Sequence, residues 1–183
     1  MIHPNESGNG TGRVTLAALN RTSREEFTAA LGAVFEHSPW VAEATWPAAP
    51  FATISDLHAA MVAAVRLAPA EQRLALIRAH PDLAGSTARD GAMTAASTVE
   101  QTGAGLLDLS DAEFQHLHRL NTAYRERLGF PFIIAVRRHN KASLLAAFEA
   151  RLGQSPDAET ETALAEIFAI TALRLEALLG NAG

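Results

Sequence analysis

Apolar positions recur at helical spacing along most of this chain. Behind the polar run Thr22-Ser23-Arg24-Glu25-Glu26, residues Phe27, Leu31, Val34 and Phe35 share one face, which predicts a helix over about 23–36. Pro39 starts a short helix carrying Trp40 and Val41, and Pro47 and Pro50 then break the chain. Ser55 and Asp56 read as the cap of a helix with Leu57, Met61 and Val65 on one face. Pro69 opens another with Leu74, Leu76 and Ile77, which must stop near His80 because a residue before proline is pushed out of the helical region. Residues 82–96 hold Gly85 and Gly91 among small polar neighbours and read as a long loop.

Ser97-Thr98-Val99-Glu100 looks like a cap with a short helix behind it, since Gly103 and Gly105 follow. The capping box at Ser110–Glu113 opens a helix with Phe114, Leu117, Leu120, Tyr124 and Leu128, stopped by Gly129. Phe130 to Val136 resembles a strand but has no partner of similar character, so an extended link buried between helices is expected. Asn140 caps a helix at about 141–152, ended by Gly153. A last helix at about 159–179 aligns Leu164, Ile167, Phe168, Leu175 and Leu178. The pattern is that of a single all-α domain over 14–183, after a polar, Gly-rich leader at 1–13.

Composition narrows the function classes. With 183 residues and 48% hydrophobic positions, one core can form without staples. There is no cysteine, which excludes disulfides, thiolate zinc sites and thiol nucleophiles. A net charge of −5 argues against general affinity for nucleic acid or anionic membrane. No apolar run approaches the roughly 20 residues of a membrane helix. The leader has no signal-peptide core, and the ending Gly180-Asn181-Ala182-Gly183 is no peroxisomal address, so a cytoplasmic protein is expected.

Candidate chemistry is sparse. None of the seven histidines falls in a metal-ligand spacing, and no nucleophile elbow, phosphate loop or dinucleotide fingerprint is present. The run His80-Pro81-Asp82-Leu83-Ala84-Gly85 is the most unusual. Pro81 leaves His80 at a helix C-terminus, where the dipole favours imidazolium by roughly 0.3–1 kcal/mol when exposed. That suits a proton shuttle, though a histidine capping exposed carbonyls reads the same way. Ser97 and Glu100 are either a capping box or a pair of functional side chains. Arg174 lies on the apolar stripe of the last helix. Its stem either snorkels outward or offers a half-buried fork to a carboxylate or urea-like oxygen.

Several elements occur together in one order: Phe35-Glu36-His37-Ser38-Pro39-Trp40-Val41, the His80–Gly85 run, Glu100-Gln101-Thr102-Gly103-Ala104-Gly105, Leu120-Asn121, Tyr124 and Gly129-Phe130-Pro131-Phe132-Ile133. From about residue 16 to 180 the chain resembles the 2-oxo-4-hydroxy-4-carboxy-5-ureidoimidazoline (OHCU) decarboxylases. The resemblance implies an all-helical fold and conversion of OHCU to (S)-allantoin with loss of carbon dioxide, in urate breakdown. It implies His80 as acid/base, Pro81 lining the pocket, and substrate contacts from Ser97, Glu100 and Gln101, and on that basis Glu100 is expected to join His80 in catalysis by holding either its imidazole or the ureido nitrogens of the substrate. It also implies contacts from the main chain of Phe132, Ile133, Ile134, Ala135 and Val136, and from Arg174. Neither cofactor nor metal is implied, because the ring imine adjacent to the departing carboxylate can absorb its electrons. A homodimer is implied as well. The loop Ser86–Ala96 departs from the family by being small and Ala-rich. Two rivals stay open at this point: a non-enzymatic helical module that binds a partner helix or small ligand, and a ring-opening hydrolase acting on a neighbouring ureide.

Overall fold

The computed structural model describes residues 14–84, 94–103 and 109–180. The expected leader at 1–13 and most of the Ser86–Ala96 loop lie outside the described residues. Among the described residues nine α-helices and two short 3-10 turns follow one another, with no strand. The helices are α1 (Leu16–Leu19), α2 (Arg24–Leu31), α3 (Trp40–Thr45), α4 (Ile54–Leu67), α5 (Ala70–Arg78), α6 (Ala95–Gly103), α7 (Asp111–Leu128), α8 (Lys141–Leu152) and α9 (Pro156–Leu179). The 3-10 turns are Trp46–Ala48 and Val136–Arg138. The all-α reading holds.

Helix starts follow local capping chemistry. Ser23 with Glu26, Ser110 with Glu113 and Asn140 with Ser143 each form reciprocal capping boxes. The start of α4 is set by Thr53, not Ser55, because the Thr53 hydroxyl accepts from the Asp56 N–H while the Asp56 carboxylate accepts from the Thr53 N–H. The last helix begins at Pro156, three residues earlier than its apolar stripe indicates, since Ser155 caps it and proline is at home in a first turn. Helix α2 ends at Leu31 rather than near 36. Gly32 weakens the helix there, and Pro39 disfavours helical backbone just before it. Gly129 closes α7 in the left-handed conformation, φ +76°, which glycine adopts without a Cβ penalty.

Packing places the core around α9. Helix α4 packs against α3 and α9, α5 against α9, and α7 against α8. The long helix buries Ala163, Leu164, Ile167 and Leu175 against Leu57, Met61, Leu76 and Ile77 of the same core. Each large apolar side chain buried this way contributes roughly 1.5–3 kcal/mol. Residues Phe130 to Ala135 form the expected extended link, buried throughout and ending in the second 3-10 turn. An aromatic knot holds it: the Tyr124 ring meets Phe130, Phe132 and Phe148 edge-on, and Phe132 stacks on Phe148 at 3.8 Å.

Candidate active site

His80 follows α5 by two residues and is 5% exposed. Its Nδ1 lies 3.0 Å from the Leu76 carbonyl oxygen. A carbonyl only accepts, so Nδ1 carries the proton and Nε2 keeps a bare lone pair. That Nε2 is buried and has no hydrogen-bond partner among the described residues. Burial pushes the imidazole down to about 4, against the Leu76 hydrogen bond and the Glu36 charge, which favour protonation. The expected imidazolium is therefore corrected to a neutral ring. A helix-end dipole favours the cation by roughly 0.3–1 kcal/mol, whereas a depression of this size corresponds to about 3 kcal/mol.

The residues after His80 are fastened by side chains from two helices. The Ala84 N–H donates to Gln101 Oε1 at 2.8 Å, and Gln101 Nε2 donates to the Asp82 carbonyl at 3.3 Å. From α7, Asn121 Nδ2 donates to the Leu83 carbonyl at 2.8 Å and Arg125 Nε to Asp82 at 2.7 Å. Ala84 adopts a left-handed backbone, φ +48°, which a residue with a Cβ rarely takes. The turn is thus over-determined by contacts around it.

Arg174 emerges from α9 and is 9% exposed. All five of its N–H groups find partners. Nε and Nη2 grip the two oxygens of Glu100 at 2.8 and 2.9 Å, Nη2 also donates to Ser97 Oγ at 3.1 Å, and Nη1 donates to Glu36 at 2.9 Å and to the Val34 carbonyl at 3.2 Å. The Ser97 hydroxyl donates to Glu36 at 2.9 Å, and the Thr94 hydroxyl donates to the other Glu36 oxygen at 2.6 Å. Burial works to raise the Glu36 carboxyl, but Thr94 and Arg174 outweigh it and hold it below its ordinary value. Two carboxylates facing one guanidinium leave an excess negative charge beside a neutral His80.

Ser97 and Glu100 are not a capping box. Helix α6 starts at Ala95, and Thr94 caps it by accepting from the Ser97 N–H at 3.3 Å. Both side chains are thereby released from the helix start. Glu100 is engaged by Arg174, not by His80, and the carboxylate that acts electrostatically on His80 is Glu36. Arg174 neither snorkels nor leaves a fork unengaged.

The buried link forms another wall. The Ile133 carbonyl accepts from Arg151 Nη1 at 2.8 Å, and the Ala135 N–H donates to Glu166 at 2.8 Å. Arg151 in turn pairs with the fully buried Glu159, which also accepts from the Tyr124 hydroxyl, and its guanidinium sits 4.5 Å from the Phe132 ring centre. A second buried polar cluster therefore holds the link in place from behind.

Between these parts lies a small cleft. It is lined by His80, Pro81 and Leu83, by Ser97, Glu100 and Gln101, by Phe132, Ile133, Ile134 and Val136, and by Ile170 and Arg174. No cluster of three potential metal ligands occurs among the described residues.

Residues 20–176 match the family model described as OHCU decarboxylase. The chain belongs to that family. It is 44% identical over 162 residues to the 2-oxo-4-hydroxy-4-carboxy-5-ureidoimidazoline decarboxylase of Haloferax volcanii, covering 88% of this chain and 94% of that one. It is 37% identical over 169 residues to the uric acid degradation bifunctional protein PucL of Bacillus subtilis, covering 92% of this chain and 33% of the relative. The crystal structure of an (S)-allantoin synthase superposes with a TM-score of 0.73 at 36% identity, over 91% of this chain and 54% of the other.

Ten of the eleven residues that the OHCU decarboxylase resemblance singles out line one cleft. Ala135 is the exception: it lies outside this lining, and its N–H is taken by Glu166. Glu36 is the functional candidate that residue spacing passed over. Had α2 continued to 36, nine residues at about 100° each would have placed Glu36 opposite Phe27. The helix stops at Leu31, and the left-handed His37, φ +46°, accompanies a turn that leaves Glu36 inside and His37 exposed.

Proposed function

We propose that this chain decarboxylates OHCU to (S)-allantoin in urate breakdown, with His80 as the proton-transferring group. The observation that carries the reading is the buried, unprotonated Nε2 of His80, unpartnered at the wall of a cleft whose other polar groups are already oriented. Breaking the bond between the ring carbon and the carboxylate releases carbon dioxide, and the electron pair moves into the adjacent imine. The ring nitrogen takes one proton from solvent. His80 Nε2 removes the hydroxyl proton as the ring carbonyl forms and returns a proton to the neighbouring carbon, which sets the stereocentre. Formation of the imidazolium is favoured by the Glu36 charge, which already pulls in that direction.

The remaining roles follow from which atoms are still available. Glu100, fixed by Arg174, accepts from substrate N–H groups. The Ser97 hydroxyl donates its hydrogen bond to Glu36 and accepts one from Arg174, which leaves it a single lone pair for a substrate donor. Gln101 holds the His80–Ala84 turn from which Pro81 faces the substrate. Main-chain N–H groups of the link other than Ala135 meet the ring amides. Arg174 acts through Glu100 and contributes local positive charge. No resident metal or cofactor takes part in this scheme.

Family resemblance also supports a homodimer, and the net charge of −5 supports a protein without nucleic-acid or membrane partners. No helix among the described residues is long and apolar enough to cross a membrane. The functional test is freshly generated OHCU mixed with purified protein and followed by circular dichroism and carbon dioxide release. Faster appearance of the (S)-allantoin signal with stoichiometric carbon dioxide supports the reading. Decay at the uncatalysed rate, or product without carbon dioxide, overturns it.

A further inference from the structure

We propose that Glu36 is the positioning residue of this site: its carboxylate, held by Thr94 and Ser97, fixes the Arg174 fork and so aims Glu100 into the cleft. The inference deepens the decarboxylase reading and rests on it for its kinetic arm only.

Glu36 does not line the cleft and is 1% exposed, so contact with substrate is not its role. Its two oxygens take three donors from three parts of the chain: Thr94 at 2.6 Å, Ser97 at 2.9 Å and Arg174 at 2.9 Å. A guanidinium is flat and its donors sit at fixed angles, so holding one edge sets the direction of the other. The Nη1 edge is held by Glu36 and the Val34 carbonyl, 138 and 140 residues away in sequence. The opposite edge presents Nε and Nη2 to Glu100. Glu100 is the member of this chain of contacts that reaches the cleft with a carboxylate. The left-handed backbone at His37 supports the same role, because a strained turn persists where its neighbours over-determine it. Helix capping alone would need only Thr94, whereas Glu36 ties that cap to Arg174.

The test uses the full chain and the variants Glu36→Gln, Arg174→Lys and their combination. In wild type the Arg174 Nε–H, bonded to Glu100, gives a protected arginine side-chain resonance in a nitrogen–proton correlation spectrum, assigned by its loss in Arg174→Lys. Glu36→Gln is expected to broaden or shift that resonance while circular dichroism reports an intact fold. It should lower kcat at least about tenfold with KM changed less than about threefold. On the Arg174→Lys background the same change should cost at least about threefold less than on wild type, because the group it positions is already altered, and what remains is the loss of the Glu36 charge acting directly on His80. An unmoved resonance, or effects on kcat that multiply in the double variant, would overturn the proposal. If Glu36→Gln does not fold, Thr94→Val decides. It keeps the carboxylate but removes the 2.6 Å donor, and an unchanged resonance with unchanged kcat again overturns the proposal. Absence of wild-type turnover on OHCU would sink the decarboxylase reading, while the resonance would still decide the role of Glu36.

Discussion

Replacing His80 by Asn separates its two nitrogens. The Asn side-chain amide can still donate to the Leu76 carbonyl as Nδ1 does, but nothing replaces Nε2. The unfolded imidazole takes a proton near its ordinary value of 6.5, whereas the buried ring refuses one until about pH 4. Between those values the unfolded state binds the extra proton, so stability rises with pH and is lost as the solution is acidified. The full difference corresponds to about 3 kcal/mol, and by pH 5 about 2 kcal/mol of it is gone. Urea denaturation of both proteins at pH 7 and pH 5 isolates this contribution, because Glu36, Arg174 and His37, which also act on the ring, are present in each. Wild type should lose about 2 kcal/mol more than His80→Asn across that interval. Loss of a proton-transferring group should also lower kcat by about 10²–10⁴-fold at pH 7. On the wild-type acid limb kcat/KM should stay level down to about pH 5, since a base with a value of about 4 is still mostly unprotonated there. Equal acid sensitivity in the two proteins would refute the buried neutral ring, and a variant keeping more than about half the wild-type kcat would refute the acid–base role.

Glu100→Gln removes the charge that Arg174 grips and should lower kcat/KM at least about tenfold, or about 1.4 kcal/mol, with stability lowered by about 1.5–3 kcal/mol for a charged hydrogen bond; steady-state kinetics with urea curves checks both. Tyr124→Phe deletes one donor to buried Glu159 but leaves Arg151 in place. It should cost about 1–3 kcal/mol in a urea titration and change kcat/KM less than about threefold. Exhaustive dialysis against a chelator should leave turnover unchanged, and a loss restored by one divalent metal would reveal a site outside the scheme.

How much was legible in the sequence differs between fold and site. Helices α7 and α8 were readable to the residue, because Ser110, Gly129 and Asn140 announce their ends by local hydrogen bonding. The cleft residues were readable through family resemblance, which gathered His80, Glu100, Phe132 and Arg174 from distant parts of the chain. What spacing could not convey was pairing. Ser97-x-x-Glu100 imitates a capping box, and only the position of Thr94 shows that the helix begins earlier. The state of His80 was misread for a related reason. A helix-end dipole is a local property, while the desolvation that overrides it depends on everything packed around the ring. Glu36 was hidden because a periodicity argument assumes an unbroken helix, and the turn after Leu31 ends that assumption.

Helix α9 carries three of the groups described above: Glu159 beside Arg151, Glu166 beneath the Ala135 N–H, and Arg174 in the cleft. They occupy one rod, so their mutual spacing is set by helical pitch and not by loop closure. A single residue inserted between Glu166 and Arg174 would turn the arginine by about 100° and advance it about 1.5 Å, taking it off both carboxylates while Glu159 and Glu166 stayed in place. Point substitutions along the exposed face should be tolerated freely, but insertions and deletions within this interval should be absent from any functional variant library. The helix therefore behaves as a ruler, and the interval from Glu166 to Arg174 is a physical constant of the site.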